Sequence, residues 1–141
     1  MNPVLIDASL GLALVIPFPY STKAESRIGA WLEEGRRVLV PLLWEYEIVS
    51  ALRRTEWLGV LGADRVQECI RELWSFDFER IPPSQSIHTR AIEWSRRLGQ
   101  SKSCDGQYLA SAEWAGAELW TADGRLAEQA RKLGAEWVYS L

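Results

Sequence analysis

A three-layer α/β domain with a central parallel sheet is the fold class this sequence predicts, and three observations carry it. Short apolar runs alternate with amphipathic stretches along the whole chain, the pattern of βαβ units whose sheet is covered on both faces. The 141 residues suit one domain spanning 1–141. The composition, 48% hydrophobic and 25% charged, is that of a chain able to build its own core. Crossovers between parallel strands are expected to be right-handed.

Val4-Leu5-Ile6 reads as the first strand and ends at Asp7. A loop containing Pro17 and Pro19 follows. Thr22 and Glu25 have capping-box spacing and open a helix, with Ala24, Ile28, Trp31 and Leu32 turned inward and Gly35 as its stop. Val38-Leu39-Val40 is the second strand, closed by Pro41. A helix from Leu42 or Leu43 to Arg54 and another from about Asp64 to Leu73 precede a strand over Phe76 to Ile81. Ser84 or Ser86 caps the next helix, which carries Ile87, Ala91, Trp94 and Leu98 inward as far as Gly99. Asp105 opens a helix ending near Gly116. Glu118 to Thr121 is a strand, Asp123 caps a helix to Leu133, and Trp137 to Tyr139 is the last strand. Of the 8 Trp, Trp31, Trp44, Trp94 and Trp120 fall at core positions. Trp57 and Trp114 are less well placed and suit a contact surface.

Composition excludes several function classes. A net charge of −3 argues against wrapping of duplex nucleic acid. The apolar stretch from Leu10 to Phe18 is broken by Pro17 and is preceded by no basic residue, so neither a secretory signal nor a membrane span is expected. Two cysteines, Cys69 and Cys104, form no framework, and a reducing cytoplasm is the expected setting. One histidine, His88, precludes HExxH zinc chemistry, and GxSxG, Walker A and GxGxxG patterns are missing.

Carboxylates are left to carry the chemistry. Asp7 stands at the carboxyl end of the first strand, where ligand sites of open α/β sheets form. Asp105 and Asp123 stand at helix starts, and a cap needs only one carboxylate oxygen. At about 100° per residue Glu47 lies ~60° from Trp44, on the side that carries Ala51, so it faces inward with the apolar residues. An inward carboxylate needs a partner, either an arginine or a metal. Four acids brought together would repel and raise one another's pKa values. An all-oxygen donor set favours Mg²⁺ or Mn²⁺ over zinc, and such sites suit phosphate-ester hydrolysis.

Val-Leu-Ile-Asp7-Ala-Ser9, Glu47-Ile-Val-Ser-Ala-Leu52, Asp105-Gly-Gln-Tyr-Leu-Ala110 and Leu-Trp-Thr121-Ala-Asp123-Gly-Arg-Leu-Ala127 together resemble, in order and spacing, the motifs of PIN-domain nucleases. Among these the chain is most similar to the VapC ribonuclease toxins of toxin–antitoxin pairs. The resemblance implies a Rossmann-like domain and Mg²⁺- or Mn²⁺-dependent cleavage of RNA. It also implies a homodimer and a VapB-type antitoxin as partner. By matching position it makes Asp7, Glu47, Asp105 and Asp123 the acidic metal site, with Ser9 and Thr121 as supporting hydroxyls. Cys104 stands where the family commonly has an aromatic and Gly106 where alanine is usual, and no further acid follows in Gly124 to Leu126. An inert PIN-like module that binds RNA or protein is the alternative. A phosphoacceptor receiver would need an acidic pair after the first strand, and an Asp-x-Asp phosphatase an acid at Ser9.

Overall fold

A computed structural model describes residues 1–141. Five strands, β1 (Val4–Ile6), β2 (Val38–Pro41), β3 (Glu79–Ile81), β4 (Glu118–Thr121) and β5 (Val138–Ser140), form one sheet in the order β3-β2-β1-β4-β5. Every pairing is parallel. β1, β2 and most of β4 are apolar and buried on both faces, as a doubly covered parallel sheet requires. The helices are α1 (Ala8–Ala13), α2 (Ser21–Glu33), α3 (Leu42–Trp57), α4 (Ala63–Ser75), α5 (Gln85–Leu98), α6 (Cys104–Ala115) and α7 (Gly124–Lys132). Right-handed crossovers assign α1 to α4 to one face and α5 to α7 to the other. Chain direction across the sheet reverses between β1 and β4, so the switch point, where such folds bind ligands, lies at the ends of those two strands.

The four tryptophans expected in the core are there: Trp31, Trp44, Trp94 and Trp120 are all buried. α1 crosses the Trp44 indole so closely at Gly11 that a Cβ there would lie 2.7 Å from a ring carbon.

The structure revises several sequence expectations. The stretch after Asp7, expected as a loop, begins with α1. At six residues it is too short for periodicity to register, and it starts because Asp7 Oδ1 accepts the Leu10 N–H. The Thr22/Glu25 capping box does not form. α2 begins at Ser21, whose hydroxyl is occupied with the preceding turn, accepting from Phe18 N–H at 2.9 Å and donating to the Ile16 carbonyl. Leu32, expected inward, is 42% exposed. The strand expected over Phe76 to Ile81 is only Glu79–Ile81, because α4 runs on to Ser75 and the chain then turns at Asp77 with φ 51°, a conformation aspartate tolerates. The last strand runs Val138–Ser140 rather than Trp137 to Tyr139. Asp105 does not cap α6. That helix starts at Cys104 after Ser103, with no side-chain cap. Ser84 and Asp123 do cap α5 and α7.

Within α2, Gly29 has open space around its missing side chain and an ordinary helical backbone. Gly29→Ala is therefore expected to raise stability by about 0.5–1 kcal/mol through the unfolded chain's lost freedom. Thermal or urea unfolding reads it, and a fall in stability would show an unseen contact at that face.

Candidate active site

Parallel register places Ile6 beside Trp120, and the next residues out, Asp7 and Thr121, meet at the switch point. Thr121 Oγ1 donates to Asp7 Oδ2. On the other oxygen, Ser9 Oγ donates at 2.5 Å and Leu10 N–H at 3.2 Å. The direction of both hydroxyl protons is settled by what the oxygens accept. Ser9 Oγ accepts from Ala122 N–H and Thr121 Oγ1 from Asp123 N–H, each at 3.0 Å. With those lone pairs taken, the two protons aim at Asp7. Both hydroxyls that the resemblance names as supporting groups thus donate to Asp7.

Asp7 is 9% exposed. Burial raises its pKa to about 6 against the opposing pull of Ser9, Thr121 and Leu10, and the like charge of Asp105 adds the smallest push. The expected cause, repulsion among carboxylates, is real but subordinate to desolvation.

Glu47 leans inward from α3 and is half-buried. Its protein partner is a phenol and not an arginine. The Tyr108 phenol of α6 donates to Glu47 Oε1, and burial first, then the Glu47 charge, drives the phenol well above its ordinary pKa. Asp105 accepts at Oδ2 from Gln100 Nε2 at 2.9 Å. Asp123 spends Oδ1 on the N–H groups of Arg125 and Leu126, at 3.1 and 3.2 Å. Tyr108 and Gln100 escaped the sequence reading. Tyr108 left a usable signal, since it follows Asp105 by three residues and so shares its helix face. Gln100 sits in a loop and left none.

A carboxylate offers about four acceptor sites. One remains on Asp7 Oδ2, and Glu47 Oε2, Asp105 Oδ1 and Asp123 Oδ2 receive no protein donor. No three histidine, cysteine or carboxylate side chains are grouped so as to hold an ion between them. Mg²⁺ ordinarily takes one or two carboxylates and completes its shell with waters and substrate phosphate. The buried Asp7 with Asp105 beside it, each with a free oxygen site, fits that demand, and a cation there would offset the cost of burying Asp7 ionised.

No protein-family model matches the chain. Ribonuclease VapC3 of Pyrobaculum aerophilum is 27% identical over 127 residues, covering 89% of this chain and 93% of that protein. A toxin–antitoxin complex from Klebsiella pneumoniae superposes with a TM-score of 0.69 at 19% identity, over 98% of this chain and 99% of the other. VapC20 of Mycobacterium tuberculosis, a sarcin–ricin loop cleaving toxin, superposes at 0.67 with 15% identity, over 89% and 93%. The chain has a VapC-type PIN fold. The resemblance drawn from four short motifs thus extends over nearly the whole chain. In this fold Asp7 and Asp123 follow β1 and β4 at the switch point, while Glu47 lies on α3 and Asp105 on the first turn of α6.

Proposed function

We propose that this chain is a metal-dependent endoribonuclease, the toxin of a VapBC-type toxin–antitoxin pair. The observation that carries the reading is Asp7. A carboxylate buried at the switch point, held by two pre-aimed hydroxyls and left with one open acceptor site, is a costly arrangement. It has a purpose if a cation and a phosphate come to it. The relatives support the choice of substrate: one is named a ribonuclease and another is described as cleaving the sarcin–ricin loop.

Asp7 and Asp105 would hold Mg²⁺ or Mn²⁺, and Glu47 and Asp123 would complete the acidic site around it. When bound, the ion supplies charge neutralisation at the scissile phosphate and acidifies water. Ser9 and Thr121 keep the Asp7 carboxylate fixed, and Tyr108 keeps Glu47 turned into the site. Arg125, exposed on the first turn of α7 beside Asp123, is placed to meet the RNA backbone. Arg53 is tied to Glu56 and lies over the Trp57 ring. Trp57, 76% exposed at the end of α3, with Leu58 and Val60 beyond it and Trp114 on α6, offer apolar faces for an antitoxin or a second copy. The toxin–antitoxin complex among the similar structures supports a VapB-type partner. No helix is long and apolar enough to cross a membrane, in keeping with action in the cytoplasm.

The test is cleavage of a mixed structured RNA pool with Mg²⁺, with Mn²⁺ and with chelator, for the wild type beside Asp7→Asn. Cutting that needs the metal and vanishes in the variant is expected. Wild-type cutting at full rate in chelator, or an active variant, would overturn the metal-site assignment. No cutting with either ion would favour the inert binding module. Tyr108→Phe, which removes one hydrogen bond and no volume, is expected to slow cleavage about tenfold with the fold intact by circular dichroism. An unchanged rate would show that Glu47 does not need the phenol.

A further inference from the structure

Beside the acids lies a cleft of about 380 Å³, within the range of small-molecule sites. None of the side chains discussed above as metal-site or supporting groups lines it. Pro41 and Leu42 form part of one wall and Ile81, Pro82 and Pro83 part of another. Prolines have a fixed φ, so these walls are set before anything binds. No aspartate, glutamate, lysine or arginine lines the cleft, which makes it unsuited to a phosphate or a metal ion. Its polar lining comprises Ser103, Ser111, His88 and Gln107, and the last two are bonded to each other, Gln107 Nε2 lying 3.0 Å from His88 Nδ1. Whichever tautomer and amide orientation obtains, the pair retains at least one free donor and one free acceptor.

Position ties this neutral cleft to the acids. Tyr46, a lining residue 73% exposed, immediately precedes Glu47 on α3. Cys104, another, immediately precedes Asp105 on the first turn of α6. A strand of RNA with its phosphate at the acids therefore passes an uncharged, partly apolar recess whose lining residues adjoin Glu47 and Asp105 in sequence, with an exposed aromatic ring and mixed hydrogen-bonding groups. Unstacked bases are recognised by such a combination of ring stacking and edge hydrogen bonds.

We infer that this cleft is a nucleobase subsite, taking the base of one unpaired nucleotide next to the phosphodiester to be cut and reading its edge with His88 and Gln107. The inference rests on the nuclease reading above, and two measurements separate their fates. In the first, the wild type, His88→Ala and Gln107→Ala cut a random-sequence RNA pool with Mn²⁺, and the new ends are sequenced. The wild type is expected to prefer certain bases at one position beside the cut. Each variant should weaken that preference about 3- to 10-fold, the scale of one net hydrogen bond. A preference that survives in both variants overturns the subsite and leaves the nuclease standing.

In the second, the Asp7→Asn protein is irradiated with single-stranded RNA carrying 4-thiouridine or 6-thioguanosine, and the crosslinked peptides are identified by mass. Crosslinks at Tyr46, Cys104 or Gln107 support the subsite, even if the wild type cuts nothing and the nuclease reading fails. Crosslinks confined to other segments overturn it. So does a lowered sedimentation coefficient in both variants, which would assign the cleft to a second copy of the chain.

Discussion

Asp7→Asn is expected to abolish RNA cleavage, by about 10³-fold or more, and at the same time to make the metal-free protein more stable at neutral pH. The two effects have one origin. Burial raises the Asp7 pKa from 3.8 to about 6, so between those values the folded chain binds a proton that the unfolded chain has released. Stability contributed by this group is complete below about pH 4, falls as pH rises through the interval, and is lost above about pH 6. The gap corresponds to an order of 3 kcal/mol at neutral pH. Asparagine does not ionise and escapes that loss. Part of the gain is returned because its amide must face hydroxyls whose protons are already aimed at it.

A net gain of about 1–2 kcal/mol at pH 7.5 in chelator is therefore expected, turning into a net loss of about 1–2 kcal/mol near pH 4, where Asp7 is protonated and only the cost of the amide remains. Adding Mg²⁺ or Mn²⁺ should reverse the ranking. The wild type gains stability by mass action when the ion binds the folded state alone, and the variant does not. Thermal melts of both proteins at pH 4, 6 and 7.5, with and without metal, test all of this. A variant less stable than the wild type in chelator at pH 7.5 would mean that the hydroxyl cage outweighs the buried charge.

Such a site was partly legible before any coordinates because its parts obey local rules. Asp7 and Asp123 follow short apolar strands directly, and the helical phase of Glu47 sets it with Trp44 and Ala51. What the sequence hid was relational. The donor to Glu47 is Tyr108, on a helix 61 residues away, and no periodicity on α3 announces it. α1 was concealed because six residues make under two turns, and because its cap is the residue already claimed by chemistry. Asp105 looked like a cap since caps and first-turn acids share a composition, whereas its bonded oxygen turns to Gln100. Repulsion among the acids was the natural expectation from their number. Burial, which depends on how closely α1 and β4 shut over Asp7, exceeds it.

Gly106→Ala is expected to cost about 1–3 kcal/mol and to reduce cleavage beyond what the lost stability explains. A Cβ on Gly106 would lie 2.3 Å from the Ala91 carbonyl oxygen and 2.6 Å from Ser95 Oγ, and Ser95 itself donates to that carbonyl at 2.8 Å. The Ala91 carbonyl is backbone, so even with the Ser95 hydroxyl rotated away relief requires α5 and α6 to separate. Overpacking of this kind costs about 1–3 kcal/mol, occasionally more. The departure from the family pattern at this position thus has a mechanical cause, since the two helices approach more closely than alanine allows. Separation would shift the first turn of α6, and with it Asp105 and Tyr108, on which the candidate site depends. Gly124→Ala is the control, because nothing lies within 4 Å of its missing side chain and it sits at the exposed start of α7. Urea unfolding and cleavage assays at matched folded fraction separate the two consequences. A Gly106→Ala protein of wild-type stability would show that α5 yields locally. One destabilised but fully active per folded molecule would show that the acids are held by the sheet ends and not by the helix contact.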